Sequence, residues 1–303
     1  MIPDMTAPQN LCPLLWPRRA MVMQLLGSCA AWQGLAHARP ASRSANPGDL
    51  DPSLDAVIAG TQRSADHSAR DRWRHPAETL RFFGLRADQQ VLELSPGAGW
   101  YTEILAPYLR ERGKLYVAHY ASDPSRSDTD YEPRTRKAFE AKLAATPTLY
   151  DRVVVGTLPT TAFTDLQFDR PLDAVLTFRN LHNWVRDGRL LQRLRIFHAA
   201  LKPGGVFGVE EHRAAPDTPL DRQISSGYLT EALVIGHARS AGFELHGRSE
   251  INANPRDSRL HPHGVWSLPP NLSGAPEGSK ARMQALATGE SDRMTLRFIK
   301  VRS

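Results

Sequence analysis

The 303-residue chain has only two cysteines, at positions 12 and 29. Both lie within the first thirty residues, so the remainder offers no disulfide framework and no thiolate metal site. Stability has to come from a packed core. Nor is there a block of lysines and arginines: the formal net charge of +6 is spread over single residues without interleaved aromatics. A clustered basic patch is the footprint of nucleic-acid binding, and its absence argues against that class. Long apolar runs are missing too. The most apolar stretch, residues 20–36, is interrupted by Gln24, Ser28 and Gln33, and is too short and mixed to span a bilayer stably.

What that stretch does have is an order: Arg18-Arg19, then the apolar run, then a small-x-small ending at Ala36-His37-Ala38. This is the layout of a cleavable secretory signal over residues 1–38, and it predicts export, to the periplasm of a bacterium. A competing cut exists at Leu25–Cys29, "LLGSC", which would leave a lipid anchor on Cys29. The paired arginines also suit the twin-arginine route, which carries folded proteins. Residues 39–55 are rich in Pro, Ser, Ala and Gly and read as a flexible tether.

From residue 56 onward the pattern is that of one domain. An amphipathic helical segment covers 56–89. Strand-like runs follow at 90–94, 114–119, 152–156, 172–178 and 206–210, separated by helix-like segments at 101–111, 133–145 and 188–201. Strands alternating with helices imply βαβ crossovers and a mostly parallel sheet. One further helix is expected over 220–241, then the strand-like "GFELHGRSEI", a loop excursion over 252–292, and a terminal strand in 293–303.

In an open sheet of this kind ligands bind beyond the carboxyl ends of the strands. The first such end is "VLELSPGAGWYTEIL", residues 91–105. Gly97 and Gly99 let the backbone turn sharply and approach a ligand. The helix that follows presents unpaired N–H groups, and Glu93 is placed to accept hydrogen bonds. Two more stretches come in order, "PLDAVLTFRNLHNW" and "LKPGGVFGVEEHR". Together the three resemble the class I S-adenosylmethionine-dependent methyltransferases over residues 90–301. Within that family the chain looks most like a group of predicted exported bacterial methyltransferases that share "FRNLHNW".

The resemblance implies a Rossmann-like, doubly wound, seven-stranded α/β sheet, mostly parallel with an antiparallel last strand. It implies S-adenosylmethionine as cofactor, with Glu93 at the end of the first strand and Ser95, Gly97 and Gly99 around its methionine end. Tyr101 would hydrogen-bond it as well. A nicotinamide dinucleotide fits less well, because Trp100, Tyr101 and Thr102 follow the second glycine where a small residue is wanted. Three positions depart from the family pattern. Ser95 replaces the first glycine, and keeps the turn only if its backbone needs no positive φ. The second strand ends in His119-Tyr120 where an acidic residue usually holds the ribose, so His119 or Tyr120 would take that place. The third ends in Gly156-Thr157, leaving Thr157 at the adenine side.

Methyl transfer needs orientation, water exclusion and sometimes a base. "FRNLHNW" supplies His182 as candidate base and Asn180 to orient substrate or cofactor, the bland alternative being a helix cap with Trp184 packed beneath. In "VEEHR" the two glutamates point to opposite sides of a strand, and Glu210, followed by His212, is the one expected to face the cleft. His261 and His263 with Asp257, joined by His212 or His246, read as surface residues rather than a metal site. Arg72 and Arg74 could face an acidic substrate from an upstream lid, although a solvated salt-bridged face is the commoner outcome. The methyl acceptor, a small molecule or a protein, is not specified. The rival expectation is a non-catalytic exported binding protein that kept the fold and lost the cofactor.

Overall fold

The computed structural model describes residues 52–301, apart from 122–124, 126, 128 and 129. The leader, with Cys29 and the arginine pair, lies outside the described residues. Among those described, no helix is long and apolar enough to cross a membrane.

Four short helices come first: α1 (Pro52–Ile58), α2 (Ala65–Ser68), α3 (Asp71–Arg74) and α4 (Pro76–Phe82). Then follow β1 (Gln90–Leu94), α5 (Thr102–Leu109), β2 (Lys114–His119), α6 (Tyr131–Ala145), α7 (Pro147–Tyr150) and β3 (Val154–Thr157). The alternation continues through β4 (Leu172–Phe178), α8 (Leu181–Arg186), α9 (Leu190–Ala200) and β5 (Leu201–His212). It closes with α10 (Leu220–Ser226), α11 (Glu231–Ser240), β6 (Phe243–Ser249), α12 (Lys280–Thr288) and β7 (Arg293–Lys300).

The seven strands form one sheet in the order β3-β2-β1-β4-β5-β7-β6. β1 to β5 pair in parallel, and β7 runs antiparallel between β5 and β6. This is the class I methyltransferase arrangement. Every residue of β1 and β4 is buried, because helices cover both faces of the central strands. Val91, Val117, Ala174 and Leu176 pack on one face with Leu80, Phe83, Ile104 and Leu105. Leu92, Leu94, Val175 and Phe207 pack on the other with Trp184, Leu194, Phe197 and Val234. The period-2 alternation of a strand thus feeds two cores at once.

Among the departures from the sequence expectations, three change the architecture. The tether ends early, since α1 starts at Pro52 and Leu54 is buried. The single helix expected over 220–241 is two. Gly227 leaves α10 with φ +76, Leu229 pairs with the strand end at His212 and Ala214, and Thr230 caps α11 by accepting the Leu233 N–H. Gly227 is the αL stop and Thr230 the restart. Finally, the excursion 252–292 is no loose loop: it contains a 3₁₀ turn (Gly264–Ser267) and α12. Asn252 bonds both Thr79 and Thr295, at 2.9 and 3.0 Å, and Asp257 accepts from Tyr228, His261 and the Asp292 N–H. These buried polar residues fasten the excursion beside the carboxyl end of β5 and the amino end of β7.

Candidate active site

The turn after β1 is built by backbone conformation. Ser95, Gly97 and Gly99 all adopt left-handed φ, at +47, +61 and +84. Ser95 therefore does need the positive φ that a non-glycine residue avoids, at a cost on the order of 1–2 kcal/mol. Three braces hold it there. The Ser95 N–H donates to Ala118 O at 2.8 Å. Asn180 donates from Nδ2 to Leu94 O at 3.0 Å and to Thr177 Oγ1 at 3.2 Å. His119 donates from Nε2 to Gly97 O at 2.9 Å and accepts the Tyr120 N–H on Nδ1 at 2.8 Å.

This corrects the expected roles of two residues. Both ring nitrogens of His119 are committed inside the protein, and burial pushes its pKa down to about 4, so it stays neutral and braces the turn instead of holding a ribose. Asn180 neither caps α8 nor presents its amide protons to a substrate; it ties the end of β4 to the end of β1. Glu93 is buried, and Thr102 donates to it at 2.6 Å. Burial raises its pKa to about 7 despite that bond and the nearby Lys142. At β3, the Thr157 N–H is taken by Asp165 Oδ1 at 3.0 Å, so an acidic residue does reach this strand end, from a loop where no motif announced it.

Tyr101 is fully buried and stacked on Phe178 at 3.5 Å between ring centroids. Its hydroxyl donates to Glu210 at 3.3 Å, so it serves the polar cage described next and not the turn. Glu210 itself is buried, not facing an open cleft: it accepts Arg293 Nη1 at 2.7 Å and Arg179 Nη1 at 2.8 Å. Burial would raise its pKa, but Arg293, Arg179 and Arg74 together hold it below the usual carboxylate range. A carboxylate so pinned cannot trade protons. The expectation of Glu210 as a catalytic group is corrected on that ground.

The working partner of His182 is the neighbouring glutamate. Glu211, wholly buried, meets His182 Nδ1 at 3.0 Å. It also accepts the N–H groups of Leu181, His182 and His212, at 2.5, 3.3 and 2.9 Å. An ionised carboxylate only accepts, so Nδ1 carries the proton and the Nε2 lone pair is left free. Among the described residues nothing hydrogen-bonds Nε2. Sequence reasoning preferred Glu210 because strand alternation permits one inward glutamate. The αL residue Arg179 (φ +61) turns the chain so that α8 starts directly over Glu211.

His182, Glu211 and His212 also gather ligand-type atoms within 4.8 Å of one another, the one such group among the described residues. The set His261, His263 and Asp257 with His212 or His246 is not brought together. The trio suits a metal poorly. Both oxygens of Glu211 are spent on N–H donors, and Arg179, Arg293 and Arg74 place positive charge near His212, which repels a cation.

No family model matches the sequence, nor does any curated protein. Solved structures do. The [4+2]-cyclase SpnF aligns at 17% identity over 84% of this chain and 94% of its own, with a TM-score of 0.54. An S-adenosylmethionine-dependent methyltransferase from Aquifex aeolicus aligns at 17% identity over 68% and 93%, TM-score 0.47. Another from Clostridium acetobutylicum aligns at 11% over 77% and 92%, TM-score 0.46. At 17% identity the likeness to SpnF speaks for the fold alone.

Proposed function

We propose that this protein binds S-adenosylmethionine over the Ser95–Gly99 turn and transfers its methyl group to an acceptor deprotonated by His182. The observation that carries the reading is the Glu211–His182 pair at the carboxyl ends of β4 and β5, beside that turn. The turn suits the cofactor. A Cβ placed on Gly97 would meet only Tyr131 Oη, at 3.7 Å, so the cradle is open. The Ser95 hydroxyl is buried without a well-formed hydrogen bond, although the Tyr120 phenol faces it.

When bound, S-adenosylmethionine supplies the methyl group as a sulfonium that leaves by in-line displacement. The protein's part is proton handling and orientation. Glu211 fixes the His182 tautomer, and Nε2 takes the proton from the acceptor's attacking atom. The imidazolium so formed lies 3.0 Å from the Glu211 carboxylate, which offsets its charge. Ser95, Gly97 and Gly99 hold the cofactor's methionine end, and Glu93 below them adds a buried carboxyl group. Residues 1–38 act as an export signal in this reading, which fractionation of cells expressing the full chain checks by placing the mature protein outside the cytoplasm.

A second reading, a binding protein without turnover, has its own support. Tyr101, His119 and the Thr157 N–H are all engaged within the protein, and β2 ends without a carboxylate. The SpnF likeness adds that this fold also occurs in a protein named for cyclisation, since fold does not dictate chemistry. Calorimetric titration with S-adenosylmethionine and S-adenosylhomocysteine separates the two readings. Binding of each is expected, and Gly97→Val, filling the cradle, should abolish it. His182→Ala should hold S-adenosylhomocysteine affinity within about threefold while lowering turnover roughly 10²–10⁴-fold. A folded parent protein that binds neither ligand overturns the methyl-transfer reading and selects the second.

A further inference from the structure

Four arginines and two glutamates form one shielded group at the carboxyl edge of the sheet. Arg70 precedes α3 and Arg74 ends it, Arg179 lies in the β4–α8 turn, and Arg293 opens β7. Glu210 is in β5, and Glu290 just precedes β7. Glu290 accepts Arg70 Nε at 2.6 Å, Arg74 Nε at 3.0 and 3.2 Å, and Arg293 Nη1 at 3.1 Å. Glu210 accepts Arg293 Nη1, Arg179 Nη1 and the Tyr101 hydroxyl. The most exposed of the four arginine side chains is Arg70, at 23%.

Two carboxylates thus face four guanidinium groups, and two positive charges are left over. Shielded charge without a counter-charge is strongly disfavoured, so such an excess marks a place where an anion belongs. Hydrogen-bond donors are left over as well. Arg70 Nη2 and Arg293 Nε are buried and meet no acceptor. The terminal nitrogens of Arg74 make no hydrogen bond among the described residues. Burial, then Arg179, lowers the Arg74 pKa to about 9 even with Glu290 beside it, whereas at Arg179 burial is outweighed by Glu210 and Glu290 and the pKa is raised, so the shortage of counter-charge lies on the Arg74 side of the cluster.

We infer that this cluster is a docking site for an oxyanion, a carboxylate or phosphate group carried by the methyl acceptor. Assigning the anion to the acceptor rests on the methyl-transfer reading; the anion site itself does not. Arg179 stands three residues before His182, and Glu210 adjoins the Glu211 that holds it. His212, whose ring centroid lies 5.3 Å from that of His182, is within the field of Arg179, Arg293 and Arg74, so an acidic group seated on the arginines lies on the side of the sheet edge where His182 stands. The cofactor's own methionyl carboxylate is the other source of the same chemistry. Fork-shaped guanidinium groups suit either oxyanion.

The test titrates the mature protein with inorganic phosphate and, separately, with S-adenosylhomocysteine, which carries the cofactor's carboxylate. Phosphate should bind, and its affinity should hold when S-adenosylhomocysteine is saturating. Arg70→Gln and Arg179→Gln should each weaken phosphate about tenfold or more and shift S-adenosylhomocysteine by less than about threefold. Arg70→Lys, which keeps the charge, should recover part of the phosphate affinity. No phosphate binding by the folded parent protein overturns the anion site, and that arm stands whether or not the variants fold. Competition between the two ligands overturns the assignment to the acceptor and gives the cluster to the cofactor. Phosphate binding without S-adenosylhomocysteine binding would instead sink the methyl-transfer reading and leave the anion site standing.

Discussion

At the β1–α5 turn the groups that set the geometry are neutral: a serine and two glycines in left-handed conformation, the Asn180 amide and the uncharged His119 imidazole. At the ends of β5 and β7 nearly every such group is charged, with Glu210 and Glu290 held among Arg70, Arg74, Arg179 and Arg293. The two regions share one sheet edge, yet they differ in what they are built to do. A turn that admits a cofactor needs exposed main chain at close approach, which glycine and fixed carbonyls provide. A site proposed to seat an acidic group needs a field, which buried arginines provide at the cost of desolvation.

The difference predicts unequal damage. Glu290→Gln leaves four guanidinium groups against one carboxylate. It should cost about 3–5 kcal/mol of unfolding free energy in urea titration, the range for breaking a buried ion pair. A loss as small as that of a surface ion pair would show that the cage is held by packing and not by charge.

A smaller effect separates the regions by the sign of their pH response. Burial opposes, but the surrounding arginines hold Glu210 and Glu290 below the ordinary carboxylate range. Their contribution is complete above the unfolded value of about 4.3 and is lost as the pH falls below it. Glu93 runs the other way. Its pKa is raised to about 7, chiefly by burial, so its share of stability is present below about pH 4.3 and is lost as the pH rises through 7. Glu93→Gln can still accept the Thr102 hydroxyl bond, and it should remove about 1–3 kcal/mol of the stability loss between pH 5 and pH 8. Thermal unfolding at the two pH values measures it; an unchanged difference would mean that Glu93 does not titrate in that window.

Much of this architecture was legible in the amino-acid pattern. The boundaries of β1, β2 and β4 coincide with apolar runs that end in polar turn residues, because burial on both faces leaves a local signature. The turn was legible for the same reason, since glycine spacing is a local property. The break at Gly227 and Thr230 was written in the chain as well, as a stop followed by a cap, but the apolar residues on either side read as one continuous helix.

Partner choice among the charged residues was not legible. Glu210 and Glu211 are adjacent and chemically identical, and strand alternation says only that they diverge. Which one holds His182 depends on where α8 begins, and that depends on the left-handed Arg179. The arginine cluster is still further from local reading: Arg70 and Glu290 lie 220 residues apart, and neither carries any mark of the other. Sequence by itself determined what is periodic or local in the chain: seven strands, their order of appearance, and the glycine turn after the first strand. Tertiary structure alone decided which charges are paired, which are left over and which imidazole nitrogen is free. Electrostatic energy depends on distance through space and on burial, and neither exists until the chain has folded.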